Sequence, residues 1–291
     1  MKRKAIQLAG KSLVISLPSE WVKRYNIHKG DEIDVIPKDN ALIVSGNSAI
    51  PEEKITVDIS ALDFMISRVI GAVYKSGYEE ARIYFNGEKQ LHEINKTLKA
   101  TCTGFETIKT EKNYIIVRNV TTINKDEFDN ILRRYFFSII SVANDIETAM
   151  KNNDKKALNE ICQRDENINK LADLIRRFVN KYGYLEFKKT AVIYFIIEQL
   201  EKIADIYHEI SNYFVSNKIE RKMTDAICRI NKLLSSFHDL FYHFNLEEVN
   251  EFGKTADDIK KDMAEENLPH HFYILIEQIF NLNSSLLIAK L

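Results

Sequence analysis

The 291-residue chain is 45% hydrophobic and 29% charged, long and apolar enough to bury a sizeable core and to form two or three domains, so a disordered protein is excluded. Its 41 basic and 42 acidic residues leave a net charge of -1 and a pI near 6.7, so the chain as a whole has no attraction for nucleic acid. Such attraction has to come from segregated charge, and up to position 30 the chain carries Lys2, Arg3, Lys4, Lys11, Lys23, Arg24 and Lys29 against the single acid Glu20.

Cys102, Cys162 and Cys228 are odd in number, far apart and without a C-x-x-C pair, which argues against a disulfide framework or a cysteine zinc site and fits a reducing cytoplasm. No apolar run approaches the roughly 20 residues needed to span a bilayer, and the basic start lacks the apolar stretch of a signal peptide. The expectation is a cytoplasmic protein with no membrane insertion.

Lys4 to Leu8 and Ser12 to Leu17 read as strands around an Ala9-Gly10-Lys11 turn, and Pro18 ends the second by removing a backbone donor. Ser19 is placed to cap a short helix over Glu20 to Tyr25. Two more runs, Glu32 to Ile36 and Ala41 to Val44, turn at Lys38-Asp39-Asn40. A segment of about 46 residues without metal ligands or disulfides has too little core to be stable alone, so a homodimer is expected.

The G-K-S-L-x-I-S-L-P run, the helix after Pro18 and the I-x-K-G-D-E-I-D-V run from Ile27 to Val35 make residues 1–46 similar to the AbrB/SpoVT family of swapped-hairpin DNA-binding domains. That resemblance implies two chains interleaving their hairpins into one small β-barrel, with basic residues near the start and around the Gly10 turn facing double-stranded DNA. Arg3, Lys4, Lys11 and Arg24 are the DNA-binding candidates, acting mainly on phosphates. The alternatives are a solvated charged face that binds nothing, and a unit that only dimerises.

Pro51 to Lys54 suggests a boundary, and residues 51–120 read β-α-β-α-β-β, a small two-layer α/β domain. Its helices are expected over Ala61 to Lys75, stopped by Gly77, and over Glu88 to Thr101. It carries no glycine-rich phosphate loop, nucleophile elbow or ligand cluster, which leaves a structural spacer or a small-ligand pocket.

From Lys125 the apolar period becomes 3.6 and predicts six helices over 125–291. NEICQRDENI from Asn159 echoes NEFGKTADDI from Asn250, and IIEQL from Ile196 echoes LIEQI from Leu275, so two related three-helix bundles are expected. Glu201 and Asp205, one turn apart, repel by about 0.2–0.5 kcal/mol on an isolated helix, a repulsion a cation would remove; an exposed acidic face is the plain alternative.

This repeat, with LEKIADIYHEI from Leu200, resembles the PhoU family of phosphate-uptake regulators, whose E/D-x-x-x-D motifs on neighbouring helices bind metal clusters. The resemblance implies a metal set of Asp165 and Glu166 facing Glu201 and Asp205, with Asn169 where the family often has an acid. A degraded second set comprises Asp258, Asp262 and Glu277, and oxygen ligands suit magnesium, manganese, iron or zinc. The expected fold is multidomain α+β: swapped-hairpin barrel, α/β middle, all-α C-terminal domain. The expected function is a non-enzymatic, DNA-binding regulator of phosphate uptake; the alternative is an adaptor on the ATPase of a phosphate transporter. A metal-dependent hydrolase lacks an identifiable nucleophile, base or substrate pocket.

Overall fold

The computed structural model describes the chain apart from residues 1, 9, 39–40, 47–52, 122–126, 163–165 and 185, and apart from the side chains at 36–38, 41, 43, 45–46, 162 and 166. The chain divides into two units, Met1–Glu53 and Lys54–Leu291.

The first unit holds two antiparallel hairpins. Strands β1 (Ile6–Leu8) and β2 (Ser12–Val14) pair with Ile6 opposite Val14, and β3 (Ile33–Lys38) pairs with β4 (Ala41–Gly46) with Val35 opposite Val44. Between them lies a six-residue helix, α1 (Ser19–Arg24). Ser19 is its first helical residue and not its cap: Pro18, extended at φ -61° and ψ 129°, occupies the cap position and its carbonyl accepts from the Val22 amide at 2.9 Å. Among the described residues no apolar side chain before Ile59 is buried; Leu13 is 74% exposed, and Ile6, Leu8, Ile15, Val35 and Leu42 are exposed as well.

The second unit opens with β5 (Lys54–Asp58), α2 (Ile66–Lys75), β6 (Glu80–Tyr84), α3 (Gly87–Thr101), β7 (Phe105–Thr110) and β8 (Tyr114–Asn119). The sheet order is β5-β6-β8-β7, with β5 parallel to β6 and the other pairs antiparallel. Strand alternation puts Ala81, Ile83, Ile115 and Val117 in one core with Ile70, Tyr74, Ile94 and Leu98 of the helices, which is the two-layer arrangement expected. Helix α2 begins later than the apolar pattern suggests because Met65 is left-handed at φ 67°, which ends the irregular stretch before it.

The rest is helical: α4 (Phe128–Lys151), α5 (Lys155–Cys162), α6 (Glu166–Tyr182), α7 (Thr190–Ser216), α8 (Arg221–Tyr242), α9 (Leu246–Glu266) and α10 (His270–Lys290). The second apolar stripe is thus carried by two helices, α5 and α6. One contiguous core runs from Phe128 to Ala289 through all seven, so the repeat is not expressed as two separate cores. Among the described residues α10 alone is long and apolar enough to cross a membrane. Its Phe272, Leu275, Ile276, Ile279, Leu282 and Leu286 have no exposed surface, so these apolar positions serve the protein core.

Helix α6 also fastens the α/β layer to the helices. Arg177 donates to the Tyr74 carbonyl at 2.8 Å and Asn180 to the Lys75 carbonyl at 2.8 Å, satisfying the C-terminal end of α2, while Lys181 and Arg177 pair with Glu79.

Candidate functional site

Two candidate regions follow from the charges. In the first unit Arg3 and Lys4 lie next to each other just before β1, exposed, and Lys11 is exposed in the turn between β1 and β2. Gly10, at φ +85°, makes that turn possible, and Gln7 Nε2 donates to its carbonyl at 3.1 Å. Lys4 and Lys11 are at opposite ends of the hairpin, with about 13 Å of extended chain between Lys4 and Leu8. Arg24 lies in the last turn of α1, where its Nη2 pairs with Glu53 Oε1 at 2.9 Å and its guanidinium sits 6.0 Å from the Tyr25 ring centre. Glu53 is a partner the sequence reading did not identify. The pair is more than half exposed, and exposed pairs are worth at most about 1 kcal/mol, so a stronger anionic partner can displace it.

The described acidic residues of the helical segment form no group of three that could hold a metal ion. Asp165 lies outside the described residues, and Glu166 opens α6 with its side chain outside them too. Glu201, on α7, turns both carboxylate oxygens to Arg176 of α6: Nη1 reaches Oε1 at 3.2 Å and Nη2 bonds Oε2. Arg176 is 1% exposed and also meets Asp173 Oδ1 at 2.8 Å and Glu198 Oε1, 2.6 Å from its Nε. Lys75, at the end of α2, approaches the same Asp173 oxygen at 3.4 Å. Burial works against the charge on Arg176, but Glu201 and Glu198 outweigh it and hold the guanidinium protonated above its ordinary range. The Tyr135 hydroxyl of α4, pushed up by burial, donates to the Ile197 carbonyl at 3.2 Å beside this group. Asp205 is exposed one turn beyond Glu201.

In the second set Asp262 of α9 pairs with Arg229 of α8 at 2.6 Å, and Glu277 of α10 pairs with Lys260 of α9 at 2.7 Å; Asp258 is exposed on α9. Each of the two paired acids faces a base, and among the described residues no three His, Cys, Asp or Glu side chains converge as a metal would need. Among the described residues the donors around Glu201 therefore do not make a metal site, and the Glu201 oxygens are committed to a guanidinium. Asp173, Arg176 and Glu198 were missed by the sequence reading, although D-x-x-R at 173–176 and E-x-x-E at 198–201 both have the spacing of one helix face.

A third polar group lies inside the bundle. The Tyr207 hydroxyl donates to Asn231 Oδ1 at 2.7 Å, and Asn231 Nδ2 donates to the Ala143 carbonyl at 2.8 Å and Glu147 Oε2 at 2.9 Å. Glu147 and Asn231 line one wall of a cavity of about 680 Å³ between α4, α8 and α9. Cys102 is buried in the α/β layer, where burial pushes its thiol up to about 11, so it stays protonated and unreactive at neutral pH.

Hairpin unit, α/β layer and helical bundle make a multidomain α+β architecture. The particular domains are shown by family comparison. Residues 6–54 match the MazE antitoxin family, described as antidote-toxin recognition MazE, bacterial antitoxin, and residues 132–214 match the PhoU domain. The chain is thus a fusion of a MazE/AbrB-type domain with a PhoU domain, both of them regulatory and non-enzymatic families. The PhoU match falls on α4 to α7, the first of the two sequence repeats. No curated protein and no solved structure matches the chain.

Proposed function

We propose that this protein is a DNA-binding transcription regulator of phosphate homeostasis, in which two copies of the N-terminal unit form the DNA-binding body and the PhoU-type helices carry the sensor. The observation that carries the reading is the fusion itself, a MazE/AbrB-type domain at 6–54 and a PhoU domain at 132–214. The physical support for dimerisation is the uncovered apolar surface of the hairpins, since a unit with Leu13, Ile6 and Leu8 exposed gains about 25 cal/mol for each Å² that a second copy covers. Interleaved hairpins in a barrel would cover it. Arg3, Lys4, Lys11 and Arg24 then act on phosphates, and the spread of Lys4 and Lys11 along the hairpin suits contacts along a backbone more than a grip on one group.

The reading assigns no step to a metal ion. Glu201, Asp262 and Glu277 enter it as members of ion pairs, and Asp205 and Asp258 as exposed acids.

The test is binding of the purified chain to duplex DNA over a salt series, beside the variant with Arg3, Lys4, Lys11 and Arg24 changed to alanine. Salt-sensitive binding that the variant lacks supports the regulator. A second reading, an adaptor on the ATPase of a phosphate transporter with an N-terminal unit that only dimerises, is favoured by one observation: Arg24 already has an internal partner in Glu53. No retention on DNA at low salt, together with affinity for such an ATPase, selects it.

A further inference from the structure

We propose that the open face of the α/β sheet binds single-stranded RNA, with bases stacked on Tyr84 and Tyr114 and phosphates met by Arg82 and Lys109. The sheet lies between the two family matches, at 6–54 and 132–214, and the inference does not rest on DNA binding by the N-terminal unit.

Helices α2 and α3 share one core with Ala81, Ile83, Ile115 and Val117, which gives the sheet its covered face. Strand alternation turns the residues between these to the opposite face, where Thr56, Arg82 and Lys109 are exposed and Tyr84, Tyr114 and Ile116 are half-buried. The registers order that face into rows. At one end Lys54, Glu80, Arg118 and Glu106 alternate in sign across the four strands, and Glu80 meets Lys54 at 3.3 Å and Arg118 Nε at 2.9 Å, so this row neutralises itself. The next row sets Arg82 and Lys109 on either side of Ile116, and the third sets Tyr84 opposite Tyr114 with ring centres 5.6 Å apart. Arg82 lies 5.2 Å and Lys109 5.7 Å from the centre of the Tyr114 ring, which keeps both cations beside the aromatic pair. Lys109 also pairs with Glu111 at 3.0 Å, whereas Arg82 meets no carboxylate among the described residues.

Aromatic rings on the two central strands of an open sheet, flanked by cations, match a strand whose bases are unpaired: the bases offer π-faces for stacking and the phosphates offer negative charge. A duplex keeps those π-faces inside its own stack, and an apolar peptide would desolvate Arg82 without supplying a counter-charge. Asp58, the register partner of Tyr84, separates RNA from DNA. Its exposed carboxylate repels a phosphate but accepts from a ribose 2′-hydroxyl, a donor that DNA lacks.

The test uses the full chain and the fluorescence anisotropy of a labelled, unstructured RNA of about 12 nucleotides, with excess unlabelled duplex DNA present to occupy the N-terminal unit. The native chain is expected to bind the RNA, and Tyr84→Leu and Tyr114→Leu, which keep apolar bulk but remove a stacking ring, each to weaken binding about tenfold. Two phosphates met by Arg82 and Lys109 give a slope of log K against log salt near -1.4, falling to about -0.7 in Arg82→Ala. A DNA strand of the same sequence is expected to bind more weakly, and Asp58→Ala to remove that preference. No RNA binding at low salt overturns the proposal, as does binding unchanged in Tyr114→Leu and Arg82→Ala, which would place the RNA elsewhere on the chain. Equal binding of the DNA strand by the native chain overturns the assignment to RNA. Should a tyrosine variant fail to fold, Arg82→Ala, at an exposed position, decides the question by itself.

Discussion

At the scale of single residues, the largest effects belong to buried polar groups whose partners are all inside the protein. Arg176 is the clearest case. Replacing it with methionine leaves Asp173 and Glu201 facing each other in a poorly hydrated site, and breaking a buried ion pair costs about 3–5 kcal/mol. Urea unfolding should show a loss of that size, against less than about 1 kcal/mol for alanine at the exposed Lys254, whose pair with Glu251 is open to solvent. Tyr207→Phe removes the donor to Asn231 Oδ1 and leaves a buried acceptor unpaired, for an expected loss of about 1–3 kcal/mol in the same measurement. The pH dependence turns on Glu147. Burial tends to raise its carboxyl, but Lys151 and Asn231 more than compensate, so its folded pKa lies below the ordinary 4.5. A depressed carboxyl contributes stability that is fully present above the unfolded value and is lost as pH falls through the folded one. Below about pH 4.5 the native chain should therefore lose stability more steeply than Glu147→Gln, read from urea midpoints at pH 7 and in the acid range.

At the scale of elements, the α2-to-β6 connection shows how local and tertiary demands coincide. Gly77 ends α2 at φ +90°, and a Cβ there would stand 3.0 Å from Lys181 Cβ on α6. Gly77→Ala meets both a strained backbone and an approaching helix, so its destabilisation should exceed the roughly 1 kcal/mol of the backbone effect alone. Loss of the α6 contact should also speed proteolysis between α2 and β6. The stop itself was legible, because a glycine directly after an apolar helical stripe marks a C-terminus. The contact was not, because nothing in residues 66–77 indicates that positions 177–181, about a hundred residues on, complete the carbonyls of α2. The same holds for the acidic face: the Glu201–Asp205 spacing is visible on one helix, whereas the partner of Glu201 is decided by the packing of α6 on α7.

At the scale of the whole molecule, the contrast is between a Lys54–Leu291 unit with a continuous core and an N-terminal unit with none among its described residues. The homodimer reading makes a direct forecast: Leu13→Asp, at a 74% exposed position, should leave the helical unit folded by circular dichroism but convert a dimer to a monomer by light scattering. Persistence of the dimer would place its interface outside the hairpins. If two copies each bring Arg3, Lys4, Lys11 and Arg24 to duplex DNA, about eight phosphates are neutralised, and log K should fall against log salt with a slope near -7. The amino-acid sequence by itself determined the order of the elements, the change from strand to helix period and the two domain families, because periodicity, turn residues and local charge are properties of neighbours along the chain. Only the tertiary structure decided that Glu201 meets Arg176, that Arg24 meets Glu53, and that one core joins all seven helices. Those outcomes depend on which helix faces and charges are brought together across long separations, where many pairings satisfy the same local pattern and packing selects one.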